Sequence, residues 1–206
     1  MNRYKRIASI IGWAGLISLL SLSASWSAIA LLLGHQFKWA VLMAAVAFQL
    51  DSLDGFVARR LGKDSDFGRQ LDSMIDAINY SLFAALVTQQ LLLPNTLGFV
   101  AGFFILAFGI LRLVLFNIDG YLEEGDVRYY RGVVTCHLSL ATLMIYIAQQ
   151  VWPTAMTSLA GHWGTAVILI TLSLGQLSTL KTRKTGALLF WIPVSICIGV
   201  GALIWL

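Results

Sequence analysis

Residues 51–76 read D-S-L-D-G-F-V-A-R-R-L-G-K-D-S-D-F-G-R-Q-L-D-S-M-I-D, and they contain six of the ten acidic residues of the chain. Asp51 and Asp54 are three residues apart, and Asp72 and Asp76 are four apart. In helices, each pair therefore lies on one face. Two antiparallel helices joined by the short polar loop between the pairs would bring all four carboxylates together.

The first acidic pair follows an apolar stretch that has only twelve residues, from Trp39 to Leu50. Because a helix rises ~1.5 Å per residue and a hydrocarbon core is ~30 Å thick, a membrane helix here must continue to about Ala58. Carboxylates inside such a helix usually face a polar cavity and mark function. Four unpaired anions cannot share a site of low dielectric, so the pattern predicts that some are protonated or that cations are bound. Oxygen ligands favour Mg²⁺, Mn²⁺ or Ca²⁺.

Small residues accompany the carboxylates. Gly55 and Ala58 leave the second helix bare beside its acidic pair, and Gly68 lies one turn before Asp72. A bulky ligand could lie against this bare backbone, with Arg59 near enough to offset its negative charge. Small residues also serve as packing sites between membrane helices, which is the alternative for any one of them taken alone.

The composition around this segment is that of a membrane protein. Of 206 residues, 58% are hydrophobic and only 12% are charged, with a mean hydropathy of +0.80, which excludes an ordinary soluble domain and a disordered chain. Long apolar stretches favour helices over a barrel. We predict an all-α, polytopic bundle that forms a single domain over residues 1–206, with an uncleaved first helix. Its seven candidate spans are 7–33, 38–59, 69–93, 97–116, 132–152, 155–177 and 186–206.

Basic residues indicate the orientation, because they are enriched on the cytoplasmic side of membrane proteins. With the N-terminus inside, 13 of the 14 Lys and Arg residues fall on the inner side, and only Lys38 falls outside. We therefore expect an integral protein of the cell (inner) membrane with its acidic cluster facing the cytoplasm. This positive face suits anionic headgroups or phosphorylated substrates, although it could also reflect topology alone.

The same 26 residues resemble the signature of the CDP-alcohol phosphatidyltransferase family, D-x2-D-G-x2-A-R-x8-G-x3-D-x3-D, with every fixed residue and gap present. The resemblance implies six conserved membrane spans, one fewer than the seven counted here, and usually a homodimer. It also implies an enzyme that displaces CMP from a CDP-linked alcohol such as CDP-diacylglycerol, with no nucleic-acid partner.

The resemblance assigns roles to the acidic segment. It implies that one or two Mg²⁺ or Mn²⁺ ions are held by Asp51, Asp54, Asp72 and Asp76, with Asp76 as the general base. It implies that the CDP moiety is bound by Asp51, Asp54, Gly55, Ala58, Arg59, Gly68 and Asp72. The chemistry agrees, because cations neutralise the charge of a pyrophosphate and a nearby carboxylate can deprotonate an attacking hydroxyl.

A second segment bears on the acceptor alcohol. Residues 112–118 read R-L-V-L-F-N-I, similar to the R-L-x-R-F-N element of the phosphatidylserine synthase branch, and Ser65 to Ser73 is also similar to that branch. Leu115 replaces the usual second basic residue, and residues 132–137 (G-V-V-T-C-H) lack the prolines common there. Despite these two departures, the similarity to the serine branch makes L-serine the expected acceptor. The residues expected to bind it are Arg112, Asn117, Arg128 and Arg131.

Other functions remain open at this point. Within the family, the acceptor could be glycerol 3-phosphate, an inositol compound or choline, and the three arginines would suit a phosphorylated acceptor. A cation transporter would also bury carboxylates, but it has no evident need for the adjoining Gly55, Ala58 and Arg59. The histidines His35, His137 and His162 and the cysteines Cys136 and Cys197 are given no chemical role.

Overall fold

The computed structural model describes residues 3–61, 66–125, 127–183, 194, 196, 198–202 and 204. Its α-helices are α1 (Arg3–Leu33), α2 (Phe37–Leu61), α3 (Asp66–Asp76), α4 (Phe83–Val87), α5 (Thr96–Asp119), α6 (Thr135–Val151), α7 (Pro153–Met156) and α8 (Leu159–Gly175). Its strands are β1 (Leu122–Glu124), β2 (Val127–Arg131) and β3 (Lys181–Arg183). The predicted helical membrane fold is confirmed.

Within the part of the chain that the structure describes, three helices are long and apolar enough to cross a membrane. The candidate spans are Gly15–Leu33 in α1, Phe37–Val57 in α2 and Thr96–Asp119 in α5. They agree with the first, second and fourth predicted spans. Most of the seventh predicted span, 186–206, including Cys197, lies outside the described residues, as do Lys63, Asp64 and Lys184; the described residues between 194 and 204 are helical.

The other predicted spans differ in detail from the helices. The third is helical throughout but polar at its start, and π-helical segments at Ala77–Leu82 and Thr88–Leu92 flank α4. The fifth begins later than expected, at Thr135. The sixth is divided into α7 and α8, because Ser158 caps α8 and starts a new helix there.

A three-stranded antiparallel sheet was not predicted. β1 pairs with β2, with Glu123 opposite Arg128, and β2 pairs with β3, with Tyr130 opposite Thr182. Ion pairs join Arg128 to Glu123 at 3.0 Å and Lys181 to Glu124. The sheet therefore ties the segment that follows α5 to the segment that follows α8.

Close packing brings α5 against the helical run that begins with α3 and carries Asp72 and Asp76. A side chain at Gly102 would press on the Ala85 carbonyl oxygen at 3.1 Å, and one at Gly109 would overlap Ser81. On the other side of this run, Phe48 of α2 packs on Tyr80 with ring centroids 4.7 Å apart. The stretch that contains Tyr80, Ser81 and Ala85, which follows Asp76, is thus held between α2 and α5.

Candidate active site

Three of the four aspartates converge between α2 and α3. Asp51, Asp72 and Asp76 each offer a carboxylate oxygen, and these oxygens all lie within 4.8 Å of one another. The helix spacing predicted this convergence, because positions four apart on α3 face the same side and meet α2 across the short connection. Three carboxylates at this distance repel one another unless a cation or a proton is shared.

The unpaired oxygens of this cluster fit a hard divalent cation. Asp51 Oδ1 and Asp76 Oδ1 are buried and have no hydrogen-bond partner among the described residues. The other oxygen of Asp51, Oδ2, accepts a hydrogen bond from the Tyr80 hydroxyl at 2.7 Å. Tyr80 therefore fixes this carboxylate while leaving Oδ1 available, and buried carboxylate oxygens of this kind are typical ligands of Mg²⁺ and Mn²⁺.

Asp54 is not one of the three carboxylates whose oxygens lie within 4.8 Å of one another. It is 4% exposed, and its Oδ2 accepts a hydrogen bond of 2.5 Å from Ser18 Oγ of α1. Sequence spacing alone placed it with the others, but it could not reveal a partner 36 residues away. Its role as a metal ligand stays a prediction.

The nucleotide end of the site stays a prediction as well. Gly55 is half-buried on α2, and Gly68 is exposed in the first turn of α3. The side chains of Ala58 and Arg59 lie outside the described residues. The CDP-binding set is therefore described only in part.

A buried polar network supports the acidic cluster. Asn79 Nδ2 donates a hydrogen bond of 2.7 Å to Ser21 Oγ, which in turn donates one of 2.9 Å to the Ala47 carbonyl. These bonds join the first π-helical segment to α1 and α2. Tyr80 follows Asn79 in the same π-helical segment, so the bonds of Asn79 also hold the backbone that carries Tyr80. Such segments are frequent at functional sites.

A cavity of about 330 Å³ opens at the C-terminal end of α5. It is lined by Arg112, Leu115, Phe116, Asp119, Gly120, Leu122, Arg131, Gln176, Leu177, Ser178 and Thr179. Arg112 is 5% exposed, and it interacts electrostatically with Asp76. Nε and Nη2 of Arg112 have no hydrogen-bond partner within the described part of the chain. The cavity therefore presents a buried cation next to the acidic cluster.

Aromatic rings hold this arginine in place. Its guanidinium carbon lies 5.5 Å from the Phe116 ring centroid and 5.4 Å from that of Tyr130, within the range of cation–π attraction. Burial raises the pKa of the Tyr130 phenol, so this ring stays neutral beside the guanidinium. The Phe116 and Tyr130 rings thus stabilise the positive charge of Arg112, whose Nε and Nη2 have no hydrogen-bond partner among the described residues.

The other residues expected to bind the acceptor have different surroundings. Arg131 lines the cavity but is paired with Asp119 at 2.8 Å. Arg128 is half-exposed, pairs with Glu123 at 3.0 Å and does not belong to the described lining. Asn117 accepts a hydrogen bond of 3.0 Å from Ser73 and so connects α5 to the residue after Asp72. Of the four residues expected to bind the acceptor, Arg112 is the one that lines the cavity and has side-chain nitrogens without a hydrogen-bond partner among the described residues.

Sequence reasoning missed the wall that follows α8. Gln176, Ser178 and Thr179 line the cavity, although they come at the end of an apolar span. A polar Q-L-S-T stretch at that point is the only signal that could have indicated them. Their placement depends on the pairing of β2 with β3, which brings this stretch to Arg131.

The comparisons with known proteins agree with this geometry. The family model described as CDP-alcohol phosphatidyltransferase matches residues 12–198. The chain is 39% identical over 115 residues to the CDP-diacylglycerol–serine O-phosphatidyltransferase of Mycobacterium leprae, covering 55% of this chain and 38% of that protein. The enzyme of that name from Mycobacterium tuberculosis is 37% identical over 163 residues, or 75% of this chain and 57% of its own length.

An archaeal relative has a related name. The archaetidylserine synthase of Methanothermobacter thermautotrophicus is 32% identical over 121 residues, covering 57% of this chain and 52% of that protein. The chain spans about half the length of the curated relatives it matches. The similarity includes the acidic segment within residues 12–198.

Proposed function

The chain belongs to the CDP-alcohol phosphatidyltransferase family, and from that premise we propose that it transfers a phosphatidyl group from CDP-diacylglycerol to L-serine, releasing CMP. The observation that carries the proposal is a cluster of three carboxylates together with a cavity lined by Arg112, whose guanidinium interacts electrostatically with Asp76 of the cluster. Membership in this family favours the enzyme over the cation transporter considered above.

Four aspartates would hold the cations. We assign one or two Mg²⁺ or Mn²⁺ ions to Asp51, Asp54, Asp72 and Asp76; the unpaired Oδ1 atoms of Asp51 and Asp76 support this assignment. When bound, such ions neutralise charge on the pyrophosphate oxygens. Gly55, Ala58, Arg59 and Gly68 are proposed to line the nucleotide, with Asp51, Asp54 and Asp72 beside it.

Asp76 is proposed as the general base. It belongs to the cluster and also interacts with Arg112 of the cavity, so its carboxylate lies between the two. The carboxylate would take the proton of the acceptor hydroxyl as that oxygen attacks phosphorus. A new phosphorus–oxygen ester bond then forms, and the bond from phosphorus to the CMP oxygen breaks.

The charge of the cavity favours a zwitterionic acceptor. Of the two guanidinium groups that line it, Arg131 has an ion pair with Asp119, whereas Arg112 has free donors among its described surroundings. One free cation matches the single carboxylate of serine. A phosphorylated acceptor carries more negative charge and would need further unpaired cations, and Arg128 is paired with Glu123 outside this cavity. The names of the relatives point the same way.

The direct test is a panel of alcohols given to purified protein with CDP-diacylglycerol and Mn²⁺. We expect release of CMP with L-serine and phosphatidylserine as the lipid product. Release of CMP with glycerol 3-phosphate, an inositol compound or choline, but not with serine, would refute the proposal that serine is the acceptor. If folded protein releases no CMP with any of the alcohols, the proposed transferase activity is refuted.

Arg112→Ala is expected to raise the apparent KM for serine at least about tenfold, because hydrogen bonds to charged groups contribute ~1.5–3 kcal/mol. The KM for CDP-diacylglycerol should stay within about twofold, since the nucleotide is bound elsewhere. Steady-state kinetics on both substrates measures this. Arg128→Ala, which removes a paired and half-exposed guanidinium, is the matched control and should leave both values near wild type. Equal effects of Arg112→Ala on both substrates would make Arg112 a structural residue only.

The orientation is proposed as cytoplasmic for the N-terminus and the active site, in the cell membrane. Cysteine labelling of intact cells tests it, in a background that lacks Cys136 and Cys197. A cysteine at Lys181 should be protected from an impermeant thiol reagent, and one at Thr96 should react. Thr96 is preferred to Asn95, because Asn95 caps α5 and its loss would destabilise the helix by ~1 kcal/mol. The reverse labelling pattern would overturn the orientation. The homodimer implied by the resemblance stays a prediction.

A further inference from the structure

Gln176 is a buried amide whose hydrogen bonds are unmade. It directly follows α8 and is 2% exposed. Neither Nε2 nor Oε1 has a hydrogen-bond partner within the described part of the chain. Leaving a buried polar group unpaired costs about 1–3 kcal/mol for each group, and such groups are rare in folded proteins. An amide kept in this state suggests a ligand that completes its hydrogen bonds.

The position of the amide relates it to Arg112. Gln176 lines the same cavity as Arg112. A Cβ at Gly109 would lie 3.8 Å from Gln176 Oε1, so this oxygen lies beside the α5 backbone. Gly109 is three residues before Arg112 and therefore on the same face of α5. Arg112 of α5 and Gln176, which follows α8, thus both belong to the lining of one cavity.

The backbone of Gln176 is held in place by the residues that follow β2. The Val133 amide donates to the Gly175 carbonyl at 3.0 Å, and the Gly132 amide donates to the Leu180 carbonyl at 2.7 Å. Gly132 has a φ of 70°, and a side chain there would overlap the Gln176 carbonyl. The wall is thus fixed before a ligand binds, which lowers the cost of ordering on binding.

We propose that Gln176 is an acceptor-binding residue that selects serine by its ammonium group. Oε1 accepts a hydrogen bond from the ammonium, while Nε and Nη2 of Arg112 donate to the carboxylate. The hydroxyl is then left for transfer to phosphorus. An acceptor without an ammonium leaves Oε1 unpaired, so Gln176 determines specificity as well as affinity. This inference rests on the proposed function and names a further part of its site.

The test compares Gln176→Met with Gln149→Met in the full-length purified protein. Methionine keeps the length of the side chain but removes its strong hydrogen bonds, and Gln149 lies near the opposite end of α6 from the cavity. We expect Gln176→Met to raise the apparent KM for L-serine about tenfold or more while the KM for CDP-diacylglycerol stays within about twofold. Gln149→Met should leave both near wild type.

Thermal unfolding of each variant separates lost binding from lost structure. If Gln176→Met does not fold, Gln176→Glu decides, because it is nearly isosteric and its carboxylate would attract the substrate ammonium more strongly, so its KM for serine should fall. An unchanged KM for serine in a folded variant, or an equal change in both KM values, would overturn the role of Gln176. Wild-type protein that ignores serine would instead refute the proposed function, so the two failures are distinct.

Discussion

Asp76→Asn is expected to lower the turnover number by about 10²–10⁴-fold, the usual contribution of a positioned general base. Asparagine has nearly the same shape as aspartate but cannot accept the proton of the acceptor hydroxyl. Asp76 has an unpaired Oδ1 in the acidic cluster and interacts with Arg112, which lines the cavity, and these contacts support its assignment as the base. CMP release at saturating substrates measures the effect.

Asp66→Asn is the matched control for this substitution. Asp66 lies on the same helix, but its side chain is exposed and paired with Arg69. Its loss should leave turnover within about twofold, because exposed ion pairs contribute little to stability. Asp76→Asn protein should also keep a normal thermal unfolding midpoint and bind CDP-diacylglycerol. Near-normal turnover by Asp76→Asn would remove Asp76 from the catalytic step.

Removal of divalent cations is expected to abolish activity. Three carboxylates with oxygens within 4.8 Å of one another need positive charge to remain ionised together, and the substrate brings further negative charge. Treatment with EDTA should reduce CMP release to background, and Mg²⁺ or Mn²⁺ should restore it. The same ions should raise the thermal unfolding midpoint of wild-type protein, because they bind the folded state alone.

Substitution of the cluster provides the control for the metal experiment. Asp72→Asn should weaken the stabilisation by Mn²⁺, whereas Asp66→Asn should not, since Asp66 is outside the cluster. Activity that persists in excess EDTA, after the absence of metal has been verified, would contradict the proposed cation requirement.

Local spacing explains what the sequence could predict. Asp51, Asp72 and Asp76 converge because helix periodicity and a short connection leave few other arrangements. The three long apolar helices follow from composition and length. Arg112 was predicted to bind the acceptor because it begins the R-L-V-L-F-N-I element and lies at the end of an apolar helix, where a long side chain can reach the aqueous boundary; it lines the cavity, and its role stays a prediction.

Long-range contacts explain what the sequence could not predict. Ser18 holds Asp54 across 36 residues, and no periodicity indicates that bond. The pairing of Arg131 with Asp119 and of Arg128 with Glu123 removed two of the expected free cations. Both pairs depend on the small sheet, whose short strands carry charged and aromatic residues and resemble a polar loop in the sequence.

The pairing of β2 with β3 also sets the order in which the site can be completed during synthesis. The carboxylates of Asp51, Asp72 and Asp76 lie within 26 residues of chain, so they can meet soon after α3 has been made. The wall at Gln176 is completed by a segment made more than 100 residues later, in which Lys181–Arg183 pairs with Val127–Arg131. Contacts of such large sequence separation form slowly, because the intervening chain must first be ordered. The acceptor cavity is therefore the last part of the site to be translated, and a nascent chain that ends before residue 176 carries the acidic cluster without the wall that is proposed to select the acceptor.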